Sequence, residues 1–271
     1  MKSHSPLISC ICVSYNRPHF LAKAVGYFLA QDYANRELVI VYRAADTPTK
    51  ELALSYEDPR IRPMEYQYDE TETLGEIRNR AVAFTQGDYF CNWDDDDWYH
   101  PQRLSTQYET LTRTGQTAAL VTNMLVYDEL MGQAYFSMFR LWETSILCKK
   151  SNINETTQYG ALNRSEDAVL VNKLMDMGAI APCPAPNLIV YRIHGHNTMQ
   201  RSHYQKLFKL SQPLSEATSI KIAAVLNGGY SLEEATEVLA DPDLLAELNF
   251  FHKKAGYIML SGLTTYRTNT A

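Results

Sequence analysis

Four consecutive aspartates, residues 94–97, are the feature of this sequence that points most clearly to chemistry. Trp93 and Trp98 flank them, and aromatic residues seldom surround charges that are merely solvated. Adjacent carboxylates raise one another's pKa unless a cation is near, and their oxygens suit Mg²⁺ or Mn²⁺. The run therefore predicts a divalent-cation site, with a solvated acidic loop or helix start as the alternative. An EF-hand calcium loop is excluded, because Tyr99 stands where that loop needs glycine.

Two shorter motifs lie at the starts of predicted helices. Gly75, Arg78 and Asn79 offer backbone amides and a guanidinium to an anionic group, although an ordinary helix start is the alternative. Glu166 and Asp167 follow a long irregular segment, a position from which a carboxylate can act as a general base at a cleft. Taken alone, this acidic pair is better explained by helix capping, with Ser165 as the N-cap, and the general base is the alternative.

Two histidines, His194 and His196, follow the last predicted strand. A neutral imidazole can complete a metal site built on carboxylates. Histidines one residue apart on a turn are also common at protein surfaces, so the spacing alone leaves both interpretations open.

The elements that must position these residues alternate between strands and helices. The run of residues 37–42 is nearly all apolar, as expected for a strand covered on both faces in a parallel sheet. Residues 88–93 form a predicted strand that leads directly into the aspartates, and ligands bind at the carboxyl edge of such sheets. Further strands are predicted over 7–15, 61–66, 118–127 and 187–193, and helices from Phe20 to Phe28 and over 49–56, 74–84, 101–111 and 165–178. The pattern predicts an α/β fold with a mostly parallel sheet.

The pattern becomes helical from about residue 204, with a capping box predicted at Ser231 and Glu234. We therefore predict a main domain over 1–200 and a helical C-terminal extension over 201–271. Its apolar residues can pack on the core, form an oligomer contact or lie on a membrane surface. Those near the end are Phe250, Phe251, Tyr257 and Leu260.

Composition limits the possible partners and compartments. The 271 residues carry 25 Lys plus Arg against 31 Asp plus Glu, a net charge of -6 without a basic tract, which argues against nucleic acid as a partner. No apolar run approaches the ~20 residues of a membrane span, and no signal peptide is evident. These features predict a cytoplasmic protein without a transmembrane segment, with peripheral attachment at the inner membrane face left open. The five scattered cysteines predict neither a disulfide framework nor a zinc site.

The order of these motifs resembles glycosyltransferase family 2 over roughly residues 6–200. The resemblance rests on Leu7 to Arg17, Gln31 to Val41, Gly75-x-x-Arg78-Asn79, Asp94-x-Asp96-Asp97 with Pro101, Glu166-Asp167, and Tyr191-Arg192-x-His194. It implies a GT-A fold, a Rossmann-like mixed sheet flanked by helices, and inverting transfer of a sugar from a nucleotide-sugar donor, commonly a UDP-sugar. The implied cofactor is Mn²⁺ or Mg²⁺, and the acceptor is a glycan, a lipid-linked molecule or a small molecule, as in polysaccharide biosynthesis.

The resemblance also implies roles for particular residues. Asp167, with Glu166 before it, matches the catalytic base. The implied metal ligands are Asp94, Asp96 and His194, with His196 as the rival of His194. The implied donor-binding residues are Ser14, Tyr15, Asn16, Arg17, Asp46, Gly75, Arg78, Asn79, Asp94 and Asp95.

The turn after the second strand departs from the family pattern. The family usually has an acid there that contacts the nucleotide base, whereas this chain has Tyr42 and Arg43, and only Asp46 stands further along. The departure leaves open a purine or otherwise altered donor. It also leaves open an impaired transferase scaffold that binds a nucleotide sugar or glycan. A transferase acting on DNA bases and a nucleotidyltransferase that releases pyrophosphate are further alternatives.

Overall fold

A computed structural model describes residues 5–67 and 69–248 of the chain. These residues form two compact units. Unit 1 comprises residues 5–122 and 141–189, and unit 2 comprises residues 123–140 and 190–248. Apart from His194 and His196, every predicted site residue belongs to unit 1, so the unit 1 fold determines most of the site's geometry.

The strands and helices of both units are numbered here in chain order, and they alternate through most of unit 1. The strands are β1 Ile8–Val13, β2 Arg36–Arg43, β3 Ile61–Tyr66, β4 Tyr89–Asn92, β5 Trp98–Tyr99, β6 Ala118–Val121, β7 Leu125–Asp128, β8 Gln133–Phe136, β9 Leu147–Lys149, β10 Ile180–Cys183, β11 Ile189–Ile193 and β12 Gln212–Pro213. The α-helices of the described residues include α1 Pro18–Leu29, α2 Thr47–Ser55, α3 Leu74–Phe84, α4 Arg103–Thr114, α5 Glu166–Asp176, α6 Arg201–Leu210, α7 Glu216–Asn227 and α8 Leu232–Leu239.

The described strands of unit 1 include seven that form one sheet, in the order β10-β6-β9-β4-β1-β2-β3. β1 pairs in parallel with β2 and β4, β2 with β3, and β10 with β6. β9 runs antiparallel between β4 and β6. The predicted α/β fold with a mixed, mostly parallel sheet flanked by helices is confirmed.

The apolar patterns explain why these segments fold as they do. All residues of β2 except Arg43 are buried, as expected for a strand covered on both faces. α1 has proline at its first position, where a missing N–H costs nothing, and it buries Leu21, Val25 and Phe28 along one face. All five cysteines are free and buried, in agreement with the predicted absence of a disulfide framework.

One strand prediction is wrong. The apolar run 118–127 is not a single strand, because β6 ends at Val121 and β7 begins at Leu125. β6 pairs with strands of unit 1, whereas β7 pairs with β8 and β11 of unit 2. The two strands are apolar and buried, and the polar residues Thr122 and Asn123, which are also buried, lie at the break between them.

Unit 2 combines a small sheet with helices. Four of its strands pair in the order β12-β8-β7-β11, with β11 parallel to β7 and the other two pairings antiparallel. The capping box at the start of α8 is confirmed, since Glu234 N–H donates to Ser231 Oγ and Ser231 N–H to Glu234 Oε2. None of the described helices is both long and apolar enough to cross a bilayer.

The predicted domain boundary at residue 200 does not coincide with the division into units. Unit 2 also includes residues 123–140 and 190–200, because β7, β8 and β11 pair with one another. Residues 249–271, which carry the predicted apolar positions Phe250, Phe251, Tyr257 and Leu260, lie outside the described residues.

Candidate active site

The four aspartates lie at the carboxyl edge of the unit 1 sheet. They follow β4, which pairs in parallel with β1, so residues 94–97 and 14–17 leave neighbouring strands at the same edge. The chain proceeds outward from β1 through β2 and β3 on one side, and β4 lies on the other side. Such a reversal of strand order opens a crevice at the carboxyl ends, where ligands bind in open α/β sheets.

The turn after β1 holds two of the aspartates. Ser14 Oγ donates to Asp95 Oδ2 at 2.7 Å. Arg17 Nη1 lies 3.3 Å from Asp95 Oδ1 and 2.7 Å from Asp96 Oδ2. Burial and then the charge of Asp96 raise the pKa of Asp95 to about 7. Two predicted donor-binding residues therefore contact the acidic run directly.

Asp94 is held from the opposite side. Arg78 Nη2 donates to Asp94 Oδ1 at 2.9 Å, and Thr144 Oγ1 donates to Asp94 Oδ2 at 2.5 Å. Tyr99 Oη donates to the backbone carbonyl of Asp94 at 3.1 Å. Both carboxylate oxygens of Asp94 are thus oriented by side chains from other elements.

Arg78 joins the acidic turn to the start of α5. The residue is only 7% exposed, and its Nε lies 3.1 Å from Glu166 Oε1, an ion pair that lacks hydrogen-bond geometry. Its Nη1 is buried and makes no hydrogen bond to any described residue. Burial alone would lower the pKa of Arg78, but the charges of Asp94 and Glu166 outweigh it and raise the pKa. The guanidinium is therefore charged and bridges both predicted acidic motifs.

Asp167 is half-buried beside this bridge. Its Oδ1 accepts the backbone N–H of Ala168 at 2.9 Å. Burial and then the charge of Glu166 raise its pKa to about 7, against the lowering effect of Arg78. A carboxyl group with this pKa can exchange a proton near neutral pH.

A glycine allows α3 and the segment before α5 to meet. A Cβ on Gly75 would lie 1.7 Å from the carbonyl oxygen of Gly160, so no other residue fits without displacement of backbone. Gly75 N–H donates to the carbonyl of Leu162 at 3.0 Å. Asn79 makes two hydrogen bonds to the backbone of Tyr159, each of 3.0 Å. These contacts position the start of α3, and the predicted donor contacts of Gly75 and Asn79 stay predictions.

Asp46 lies in the turn after β2 and organises backbone. It is buried, its Oδ2 accepts the N–H of Asn16 at 2.5 Å, and its Oδ1 accepts the N–H of Thr49 at 3.2 Å. The second bond caps α2. Asn16 adopts a left-handed backbone conformation (φ 59°), which asparagine tolerates better than most residues. Asp46 thus ties the turns after β1 and β2 together, and its predicted donor contact stays a prediction.

Tyr15 and Arg43 meet at the same edge. The Arg43 guanidinium lies 4.0 Å from the centroid of the Tyr15 ring, and Arg43 Nε donates to Tyr66 Oη at 3.0 Å. Tyr15 is nevertheless 46% exposed. An aromatic ring and a cation therefore stand beside the turn that contacts the aspartates.

Sequence reasoning missed two residues of this cluster. Thr144 contacts Asp94, and Tyr159 Oη donates to Asn92 Oδ1 at 2.6 Å while the Arg78 guanidinium lies 5.8 Å from the Tyr159 ring centroid. Both belong to the stretch that the sequence analysis left without regular structure. No periodic pattern marks them, so only their tertiary contacts reveal them.

The predicted histidine ligands lie in unit 2, after β11. His194 Nδ1 accepts the backbone N–H of His196 at 3.3 Å, and the two ring centroids are 6.1 Å apart. Among the described residues, no three His, Cys, Asp or Glu side chains are grouped as a metal site. The roles of His194 and His196 as metal ligands stay predictions.

The chain belongs to glycosyl transferase family 2, because the model of that family matches residues 9–172. An uncharacterized glycosyltransferase of Rickettsia typhi is 30% identical over 119 residues, which are 44% of this chain and 36% of that protein. The predicted family is confirmed. This chain spans just over a third of the length of the first curated relatives that it matches, 36–37%.

Two groups of solved structures share the fold. S. aureus TarS 1–349 in complex with UDP superimposes with a TM-score of 0.56 at 14% identity, covering 88% of this chain and 70% of that one. The mannosyltransferase PcManGT of Pyrobaculum calidifontis, in complex with GDP-Man and Mn²⁺, superimposes with a TM-score of 0.55 at 13% identity, covering 98% of this chain and 83% of that one. At these identities the comparison supports the GT-A fold and nothing finer.

Proposed function

We propose that this chain transfers a sugar from a nucleotide-sugar donor to an acceptor hydroxyl, with inversion at the anomeric carbon and with a divalent cation, in glycan biosynthesis. The single observation that carries the proposal is Arg78, which bridges Asp94 and Glu166. The acidic turn and the start of α5 therefore belong to one electrostatic cluster. Membership of the family, and the nucleotides and nucleotide sugars in the similar structures, support the proposal.

Asp94 and Asp96 fit a divalent cation by their chemistry and position. Both offer hard carboxylate oxygens at the crevice, and Mg²⁺ is commonly bound through one or two carboxylates together with substrate phosphates. When bound, the cation would supply charge that stabilises the departing diphosphate. His194, or His196 in its place, stays a predicted further ligand.

Arg17 and Arg78 provide positive charge beside the same carboxylates. Arg17 is partly exposed, and a guanidinium binds phosphate oxygens through paired hydrogen bonds. Arg78 has a buried Nη1 that makes no hydrogen bond to any described residue, so it retains donor capacity toward a ligand. We propose that both residues orient the diphosphate of the donor and stabilise its developing charge.

Asp167 would act as the general base. Its raised pKa of about 7 makes the carboxylate more basic than an ordinary aspartate, which suits proton transfer near neutral pH. The acceptor oxygen forms a bond to the anomeric carbon as the bond from that carbon to the diphosphate breaks. The hydroxyl proton passes to Asp167, and the bonding electrons leave with the diphosphate. This single displacement inverts the anomeric carbon.

One observation favours the alternative function, an impaired transferase scaffold that only binds a nucleotide sugar. Asp94 and Asp96 are each ion-paired with an arginine, so their charges are already compensated without a metal ion. Such a module would bind a nucleotide sugar equally well with and without Mn²⁺ and would transfer nothing.

The decisive experiment compares Asp167→Asn with Asp176→Asn at the exposed opposite end of α5. A panel of nucleotide sugars is first screened by thermal shift with Mn²⁺, since a bound donor raises the melting temperature. Asp167→Asn should then lower transfer by about 10²–10⁴-fold and leave donor affinity unchanged, because only the base is removed. Asp176→Asn should retain full transfer.

The cation is tested by Asp96→Ala. This variant should weaken nucleotide binding in Mn²⁺ and have little effect in EDTA, because the substitution removes a metal ligand. Loss of donor binding in Asp167→Asn would contradict the role of the base. Equal nucleotide affinity with and without Mn²⁺ would contradict the role of the cation.

A further inference from the structure

The turns after β1 and β2 carry a feature that the proposed chemistry does not use. We call it the Tyr15–Arg43 stack. The Arg43 guanidinium lies 4.0 Å from the Tyr15 ring centroid, and its Nε donates to Tyr66 Oη at 3.0 Å. Tyr15 keeps 46% of its surface exposed. The stack thus presents a flat ring and a fixed cation to solvent.

The stack lies on the side of the crevice that a donor nucleoside would occupy. Tyr15 directly follows Ser14, whose hydroxyl contacts Asp95, so the stack adjoins the acidic turn from the β1–β2 side. Arg78 contacts Asp94 and Glu166, the residue before Asp167, and under the proposed function the sugar and the acceptor meet beside these residues. A donor with its diphosphate at the aspartates therefore extends its base toward the stack.

Asp46, the acid in the turn after β2, is not the residue that we expect to contact the base. Asp46 is buried, and its two carboxylate oxygens accept the backbone N–H groups of Asn16 and Thr49. Arg43, the last residue of β2, is the charged residue next to this turn that contacts the exposed ring. A guanidinium has five N–H donors and no acceptor, so it recognises a base through acceptor atoms.

We infer that the Tyr15–Arg43 stack reads the base of the donor nucleotide and that this base is guanine. The inference rests on the proposed function. Guanine presents O6 and N7 side by side, the acceptor pair to which an arginine binds through two hydrogen bonds. Adenine places an N–H₂ donor beside N7, and uracil places an N–H between its two carbonyls. A purine also offers a larger face to Tyr15 than a pyrimidine does.

The test measures dissociation constants of GDP, UDP, CDP and ADP by calorimetry with Mn²⁺. The wild-type chain should bind GDP at least about fivefold, and up to about 150-fold, more tightly than the other three, the range expected for one paired contact to a base edge. Arg43→Ala should remove this preference and leave UDP binding nearly unchanged. Arg43→Lys should also lose most of the preference, because an ammonium keeps the charge but not the planar fork.

Arg62→Ala is the matched control. The Arg62 guanidinium lies 4.5 Å from the Phe84 ring centroid in unit 1, so the control removes a similar stacked pair outside the crevice. It should keep the GDP preference, and melting temperatures establish that every variant is folded.

Three results would overturn the inference. They are a wild-type preference for UDP, CDP or ADP, an equal weakening of all four nucleotides in Arg43→Ala, and a GDP preference that survives in both Arg43 variants. Binding of other nucleotides in preference to GDP would leave the proposed function intact. Failure of all four to bind would remove the proposed function as well.

Discussion

Two acidic segments of unit 1 share one arginine and yet differ in what they can do. In the turn after β4, Asp94 pairs with Arg78 and the next residue, Asp95, has its pKa raised to about 7. At the start of α5, Glu166 pairs with Arg78 and the next residue, Asp167, also has its pKa raised to about 7. Burial is the largest cause in both cases.

The contacts of the two shifted carboxyl groups differ. Asp95 is buried and held by Ser14 on one oxygen and by Arg17 on the other. Asp167 is half-buried, and its Oδ1 accepts the N–H of the next residue in its own helix, Ala168. Burial therefore shifts the pKa of both groups, whereas their partners decide their use. Asp95 is held by side chains of another turn, whereas Asp167 is bound to its own helix and stays the proposed base.

The largest expected effect comes from removing the shared arginine. Arg78→Met leaves Glu166 buried without its partner, and breaking a buried ion pair in this way costs about 3–5 kcal/mol of unfolding free energy. Urea denaturation measures the loss. The double variant Arg78→Met with Glu166→Gln should recover part of it, because the uncompensated buried charge is gone.

Arg80→Met is the control for this prediction. Arg80 lies two residues further along α3, is paired with Glu72, and has 48% of its side chain exposed. Exposed ion pairs contribute about 0–1 kcal/mol, so this variant should change the unfolding free energy little. Equal losses in the Arg78 and Arg80 variants would mean that the ion pairs of Arg78 stabilise the fold no more than an exposed ion pair does.

A smaller loss of stability is expected when the close contact between α3 and the segment before α5 is disrupted. Gly75→Ala forces a Cβ against the carbonyl of Gly160, and overpacking of this kind costs about 1–3 kcal/mol. Gly26→Ala in α1 meets no atom within 4 Å, and it should stabilise the chain by about 0.5–1 kcal/mol, since alanine favours helix. Thermal unfolding of both variants checks the contrast, and a Gly75→Ala protein as stable as Gly26→Ala would refute the close approach.

A further effect concerns the pH dependence of stability. Folded Asp167 has a pKa near 7, whereas an unfolded aspartate has about 3.9. Between these pH values the folded state binds more protons than the unfolded state, so the contribution of Asp167 to unfolding free energy falls as pH rises. Asparagine does not titrate. Asp167→Asn should therefore gain stability relative to wild type from about pH 4 to about pH 7, and the difference should be constant above that range.

Denaturation at a series of pH values measures this trend, with Asp176→Asn as the control. The control residue is exposed at the end of α5, and its substitution should produce no such slope. A constant difference between Asp167→Asn and wild type across the whole range would mean that the pKa of Asp167 is not raised.

Local patterns predicted much of the fold. β3 and α3 were predicted with the bounds that the structure has, Ile61–Tyr66 and Leu74–Phe84, because apolar periodicity and end signals lie within each segment. β9 was not predicted. Its three residues, Leu147–Lys149, are too few to carry a period, and the strand exists because β4 and β6 pair with it on either side.

The site residues also divide into those that the sequence predicts and those that only tertiary contacts reveal. Residue types alone marked the aspartates of 94–97, Arg78 and Asp167, because four adjacent acids and an arginine at a helix start have few uses that are not electrostatic. Sequence did not predict that Arg78 pairs with Glu166, that Thr144 contacts Asp94, or that Asp46 accepts the backbone N–H of Asn16. Those contacts join segments distant along the chain, and their geometry depends on how whole elements pack.

The sequence by itself determined the family, the alternation of strands and helices, and which carboxylates are available for chemistry. Only the tertiary structure decided which side chains hold those carboxylates and which of them have their pKa raised by burial. The physical reason is that the charge of a side chain is a local property. Its pKa and its partners depend on burial and on neighbours that the fold brings together.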